Sequence, residues 1–304
     1  MSKNPWEGTV VTKTMLTPEM AQKIIRKMQD QQSPQRKARV RVVDAYARNM
    51  QKSKWFFTGD ALRWDDHGNF IDGQHRCLAV IQSGVSIPVL LIRGLSRDVM
   101  AVIDVGPRRS FDDYLKIQGV HHYALSAAIT TKVWFWLNGH FPSNGALPSL
   151  SNVEKEMLFW RFEAEISRSA EFIGRLSKIR YHVTPAIAGF LHFAVSTFGK
   201  IESVEFFLSR LVSGDDLGKA SPILRLRNKL IEHKAQCSKL GAMNGRDWRV
   251  PYIYLILAWN AYVSREKVSF ELVRNSNGAM VFPDISGINS AHVPFAGDGS
   301  GEDA

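Results

Sequence analysis

Residues 70–85 read Phe-Ile-Asp-Gly-Gln-His-Arg-Cys-Leu-Ala-Val-Ile-Gln-Ser-Gly-Val, an order that predicts a strand, a glycine turn and a helix in direct succession. Phe70 and Ile71 read as the apolar end of the strand. Gly73 permits a tight turn, and Leu78, Ala79 and Ile81 follow at helical spacing. The Asp72-Gly73-Gln74-His75-Arg76 core thus places polar and cationic groups in the first turn of a helix running from about Gln74 to Gln82, where Ser83-Gly84 stops it. Free backbone N–H groups and the positive end of the helix dipole point outward there, which favours anions. Gly73 lets a ligand approach the main chain, while His75 and Arg76 can supply charge-assisted hydrogen bonds to phosphate. The competing reading is a strand–turn–helix whose arginine faces water, and spacing alone leaves both open.

Outward from this stretch, short strands and helices alternate. Thr9 to Thr14 is rich in β-branched residues and reads as a strand. Thr17-Pro18 gives an N-cap followed by proline at the first helical position, for a helix to about Asp30. Gln31 to Lys37 is a polar linker. Val40, Val43, Ala47 and Met50 then mark a second helix ending near Lys54. Ala61 to Trp64 reads as a strand, His67-Gly68-Asn69 as a turn, and Ile87 to Ile92 and Met100 to Val105 as further strands. Ser110 caps a helix through Ile117. This order predicts an α+β fold, with a compact N-terminal domain over residues 1–119.

From 120 to 285 the pattern is helical almost throughout, and an all-α domain is expected. Helices are predicted at Tyr123 to Leu137, Asn152 to Leu176, Pro185 to Phe198, Ile201 to Val212, Pro222 to Leu240 and Pro251 to Val263, with Pro142 to Ser151 a loop. Trp134, Trp136, Trp160 and Trp259 lie on their apolar stripes and are expected in the core. Residues 286–304 lack Lys and Arg, are rich in Gly, and are expected to be a disordered tail.

The 304 residues carry a net charge of +10, which points to a polyanionic partner. The surplus is concentrated early: residues 1–60 hold twelve Lys/Arg against five Asp/Glu, with Arg36, Lys37, Arg39 and Arg41 close together. Cys77 and Cys237 are the only cysteines, which excludes a disulfide framework and a cysteine zinc site. No signal-peptide pattern follows Lys3, and the most apolar stretch, Val250 to Val263, is too short to span a bilayer, so no membrane and a cytoplasmic address are expected. Walker A, H-E-x-x-H and G-x-S-x-G patterns are absent, which removes P-loop hydrolases, zincins and α/β-hydrolases.

A second cluster, Asp104-Val105-Gly106-Pro107-Arg108-Arg109-Ser110, also lies between a predicted strand and a helix. Arg108, Arg109 and the Ser110 hydroxyl suit a second phosphate, and equally suit a solvated turn with a structural cap. Asp72 is a candidate ligand for a phosphate-bound Mg²⁺ or, more simply, a turn stabiliser; Asp104 has the same two readings. His75, like Asp104, is a candidate catalytic group near neutral pH, though a phosphate-donor role needs fewer partners. Thr58 and Asp60 either line the same pocket or stabilise a turn. Thr184 to Phe198 is the nearest candidate for a helix-turn-helix.

Asp72 to Arg76, preceded by Trp64-Asp65-Asp66-His67-Gly68-Asn69 and followed by Leu78-Ala79, resembles the DGQHR variant of the ParB/sulfiredoxin superfamily, and within it the ParB-like proteins of phages and bacteria. Trp55 to Asp60, Asp104 to Ser110 and Ala258-Trp259-Asn260-Ala261 fit the same group in order. The similarity is specific over about residues 10–117. It implies a small ParB/sulfiredoxin-like domain in which a G-E-R-R or G-C-H-R segment holds nucleotide phosphates. Here Gly73, Gln74, His75 and Arg76 fill that segment. Gln74 replaces the sulfiredoxin cysteine, which sets aside sulfinic-acid repair. Gln74 and His75 also replace the glutamate and first arginine of ParB, which tells against CTP hydrolysis more than against phosphate binding.

The resemblance implies a nucleoside triphosphate, ATP or CTP with Mg²⁺, and a partner that is nucleotide, DNA or both. Three functions compete: nucleotide-responsive DNA binding; phosphoryl-transfer, NTPase or nuclease chemistry on the same scaffold; and an interaction module with a vestigial pocket.

Overall fold

The computed structural model describes residues 7–29, 38–96, 110–139, 150–239, 249–276, 278 and 280–294. These form eleven α-helices and one four-stranded mixed sheet, an α+β protein. The chain divides into two compact units: residues 1–108 with 148–153, and residues 109–147 with 154–304. Among the described residues no helix is long and apolar enough to cross a membrane.

In the first unit β1 (Val10–Leu16) leads into α1 (Pro18–Gln29), whose start is fixed by the Thr17 hydroxyl accepting from the Met20 N–H at 3.2 Å. Then follow α2 (Val40–Gln51), β2 (Ala61–Asp65), β3 (Phe70–Asp72), α3 (Gln74–Ser83) and β4 (Ile87–Leu95). The sheet order is β1-β4-β2-β3. β1 lies antiparallel to β4, β2 antiparallel to β3, and β2 parallel to β4, with β3 and α3 making the crossover.

Strand alternation sends Leu16, Leu62, Phe70, Ile87, Val89 and Leu91 into one core, where they meet Ala21, Ile25 and Met28 of α1, Val43, Ala47 and Met50 of α2, and Cys77 and Val80 of α3. Each helix thus buries residues three and four apart, while its polar face stays in water. The strand expected at Met100 to Val105 lies outside the described residues.

The second unit holds α4 (Phe111–Ile117), α5 (Tyr123–Leu137), α6 (Asn152–Arg161, from Glu154), α7 (Glu163–Arg175), α8 (Pro185–Phe198), α9 (Ile201–Ser213), α10 (Pro222–Lys239) and α11 (Arg249–Ser264). The expected boundary at 119/120 moves to 108/109, because Phe111 and Leu115 of α4 pack into the helical core. The single helix expected from Asn152 to Leu176 is broken at Phe162, whose ring packs edge-on against Phe193 with centroids 5.5 Å apart. Helix α8 is the centre of the unit: every residue from Ile187 to Val195 is buried, and Gly189 leaves no room for a Cβ against Ile129 of α5. Of the four tryptophans expected inside, Trp136 and Trp259 are buried, Trp134 is half-buried and Trp160 is exposed.

Residues 286–294, expected to begin a disordered tail, are packed instead. The Trp259 indole donates to the Ser286 carbonyl at 2.8 Å, and Asn260 Oδ1 accepts from the Ser286 N–H at 2.8 Å. The Asn289 N–H donates to the Phe198 carbonyl at 2.7 Å, and Val293 is buried. Glycine content hid these anchors, which lie on α8 and α11 and not in the segment itself. Residues 295–304 lie outside the described residues.

Candidate functional site

The strand, turn and helix at 70–83 form as their sequence implies, yet Gly73 does a job different from the expected one. It precedes α3 in the left-handed region, with φ +113, and is buried. A Cβ there would lie 2.2 Å from Leu62 Cδ2 and 3.3 Å from Phe70 Cζ. Its missing side chain makes room for the core, not for a ligand. Ligand approach is left to the first-turn amides of α3, which no side chain caps. Gln74 opens that turn and is half-buried.

Arg76 is neither solvated nor free. Its Nη2 donates to the Ala61 carbonyl at 2.7 Å and to Asp72 Oδ2 at 3.2 Å, and its side chain is 12% exposed. Arg63 Nη1 donates to the same Asp72 oxygen, so one carboxylate serves two guanidiniums. Arg76 Nη1 is buried without a hydrogen-bond partner. A buried donor left unmade costs on the order of 1–3 kcal/mol, which an acceptor brought to this nitrogen would recover. Asp72 does not fit the Mg²⁺ role: a cation on the shared oxygen would face two guanidiniums.

His75 ties two helix starts together. Its Nε2 accepts the N–H of Arg39 at 3.0 Å, and Arg39 is the N-cap of α2. Accepting at Nε2 places the neutral ring's proton on Nδ1. Nε2 is therefore occupied in positioning and Nδ1 carries the proton, which tells against His75 as a catalytic base. Neither α2 nor α3 has an acidic residue in its first turn, where one is ordinarily favourable. Arg39 and Arg41 are exposed, and neither side chain makes an ion pair among the described residues. Arg36 and Lys37 lie outside those residues.

Of the second cluster, only Ser110 is among the described residues. Ser110 belongs to the helical unit, where it caps α4 reciprocally with Asp113: its hydroxyl lies 2.6 Å from Asp113 Oδ2, and its N–H donates to the same oxygen at 3.0 Å. That start is self-satisfied and carries two acids, Asp112 and Asp113. Asp104, Arg108 and Arg109 lie outside the described residues. Thr58 donates to Asp60 Oδ2 at 2.8 Å, a turn contact.

Asp65, Asp66 and His67 lie close enough together to resemble a metal cluster. However, the buried Asp65 carboxylate already accepts from the N–H groups of His67 (3.0 Å) and Asn69 (2.6 Å) and from Asn69 Nδ2 (2.9 Å). Burial pushes this carboxyl up, and those donors together hold it below its ordinary range. It organises the β2–β3 turn. Cys77, by contrast, is pushed up to about 12 by burial and is an inert core thiol. Helix α8 cannot act as a recognition helix, because its central residues are buried all round.

Sequence reasoning missed Arg63. The available signal was its place in a strand closed by His67-Gly68-Asn69, which sets Arg63 directly opposite Asp72. No family model, curated protein or solved structure matches the chain.

Proposed function

We propose that the N-terminal unit is a phosphate-binding module of ParB/sulfiredoxin type, gripping a nucleotide or the DNA backbone at the joined starts of α2 and α3, with a DNA-associated role ahead of catalysis. One observation carries this reading. Two helix N-termini linked through His75 hold no first-turn carboxylate, have exposed Arg39 and Arg41 beside them, and adjoin a buried arginine nitrogen without an acceptor. Phosphate oxygens supply the missing negative charge and the missing acceptor together. The excess of basic residues in this part of the chain adds long-range attraction for polyanions.

The reading is tested by thermal shift with ATP, CTP, GTP and inorganic phosphate, each with and without Mg²⁺, and by fluorescence anisotropy with duplex DNA across salt concentrations. Bound phosphate raises the melting temperature, and DNA affinity falls steeply with salt. The paired substitution Arg39→Gln and Arg41→Gln, on exposed side chains, reduces the log–log salt slope by about one unit per lost phosphate contact. If neither nucleotide, phosphate nor DNA stabilises the protein, the reading fails.

A further inference from the structure

The helical unit contains a cleft of about 800 Å³ that the phosphate reading does not use. It opens where the C-terminal end of α11 meets the starts of α9 and α10. Four cations line it, Lys200, Arg225, Arg265 and Lys267, against one carboxylate, Glu266. Among the described residues none of the four makes an ion pair. Arg225 is half-buried while Lys200, Arg265 and Lys267 are exposed, so water screens their mutual repulsion in the free protein, and an anion entering the cleft meets all four.

Two further observations point the same way. Lys200 is the N-cap of α9 and Arg225 lies in the first turn of α10, so the positive helix ends reinforce the cations; α10 has no acid in its first turn, whereas α9 has Glu202. Arg265 stands directly after α11 with φ +59, a conformation that glycine or asparagine adopts more easily. A cation at this helix C-terminus is also favoured by the helix dipole, and it brings its charge to the cleft.

The rest of the lining is apolar or aromatic. Pro222, Ala261 and Val263 contribute carbon surface, and Trp259 forms a buried wall held by its bond to Ser286. Tyr262 is half-buried, and among the described residues its hydroxyl has no hydrogen bond. The volume falls in the range of roughly 300–1,000 Å³ that holds a small ligand with a few convergent polar groups. We infer that this cleft binds a small molecule with a diphosphate group and a planar or apolar body, such as a nucleoside diphosphate. The phosphates meet Lys200, Arg225, Arg265 and Lys267, and the body lies against Tyr262 and the carbon surface. This cleft belongs to the second unit and Arg39, Arg41 and Arg76 to the first, and either proposal can stand without the other.

Isothermal titration calorimetry of the full chain with ADP, pyrophosphate and adenosine tests it. ADP and pyrophosphate bind, ADP the tighter, and adenosine alone gives no heat at the same concentrations. The paired substitution Arg225→Gln and Lys267→Gln weakens ADP by at least about tenfold, the loss expected when charge-assisted bonds are removed, and leaves the melting temperature of the free protein unchanged. Arg39→Gln with Arg41→Gln leaves this binding intact. The proposal is overturned if ADP gives no heat, or if its binding survives the Arg225 and Lys267 substitutions. It is equally overturned if a short single-stranded DNA binds through Arg225 and Lys267 and ADP fails to displace it.

Discussion

Helices α3 and α4 each carry polar residues at their starts, but their orphan amides meet different fates. At α4, Ser110 and Asp113 cap one another and Asp112 adds a second acid, so the helix end is closed by its own side chains. At α3 the N-cap is Gly73, no side chain caps the turn, and the nearby groups are His75 and Arg76. Both starts are polar, but the charges they carry differ in sign. A helix end that supplies its own carboxylate has no need of an anion, whereas one that supplies only donors does. The second-unit cleft shows both cases: Lys200 and Arg225 occupy helix starts without forming ion pairs among the described residues, but α9 carries Glu202 in its first turn and α10 carries no acid there.

The largest expected effect tests whether Gly73 serves the core. Gly73→Ala forces a Cβ against Leu62 and Phe70 at a φ that L-residues rarely adopt, and destabilises the first unit by about 3 kcal/mol in urea unfolding. A loss below about 1 kcal/mol would mean that the turn can relax and that its glycine has another purpose.

Separating the two helix starts requires telling the unfolding of the two units apart, and pH provides a handle. His192 is wholly buried in α8, with Nδ1 on the Ser169 hydroxyl at 2.9 Å. Burial, then the charge of Arg168, lowers its pKa from 6.5 to about 4. Glu205 Oε1 lies 3.5 Å from Nε2 but is not aligned for a hydrogen bond, and burial outweighs it. Because the unfolded chain takes up the proton first, the contribution of the neutral ring is complete above pH 6.5 and is lost as pH falls toward 4. The loss amounts to about 3 kcal/mol. Thermal unfolding between pH 7 and pH 4 shows the second unit weakening, and His192→Phe flattens that dependence. A pH-independent transition in the unsubstituted chain would contradict the burial argument.

Asp72→Asn comes next and sharpens the contrast at α3. It leaves Arg63 and Arg76 without their shared carboxylate and destabilises by about 2 kcal/mol, the scale of charge-assisted bonds that are partly buried. If the site accepts phosphate, millimolar inorganic phosphate raises the melting temperature of Asp72→Asn more than that of the unsubstituted protein, because it replaces the lost charge. Equal shifts would separate the arginine network from the anion site.

Local signals in the sequence were enough for elements and too weak for partners. The Thr17-Pro18 start and the β-branched run at 9–14 anticipated α1 and β1 to within a few residues, since each rests on neighbours in the chain. The break at Phe162 was illegible: no proline or glycine marks it, and the ring's aromatic neighbours lie thirty residues and more away. The packing of 286–294 escaped for the same reason. Its hydrogen-bonding partners are Trp259, Asn260 and Phe198. At the site, the glycine and arginine were visible, but not their engagement with Leu62, Ala61 and Arg63, which only strand pairing brings near. The cleft joins residues from 200 to 287 and has no linear signature at all.

The smallest expected effect closes the comparison of helix starts. Ser110→Ala removes one half of the cap on α4 and costs about 1 kcal/mol, read as a shift in the urea midpoint of the second unit. Asp113→Asn removes the other half and some of the favourable charge at the helix end, at a similar cost. Neither change alters phosphate binding, because the first turn of α4 retains an acid in either variant. If Asp113→Asn instead created a phosphate-dependent rise in melting temperature, the α4 start would be an anion site held shut by its own carboxylate. The distinction drawn here between closed and open helix ends would then be one of degree, set by a single side chain.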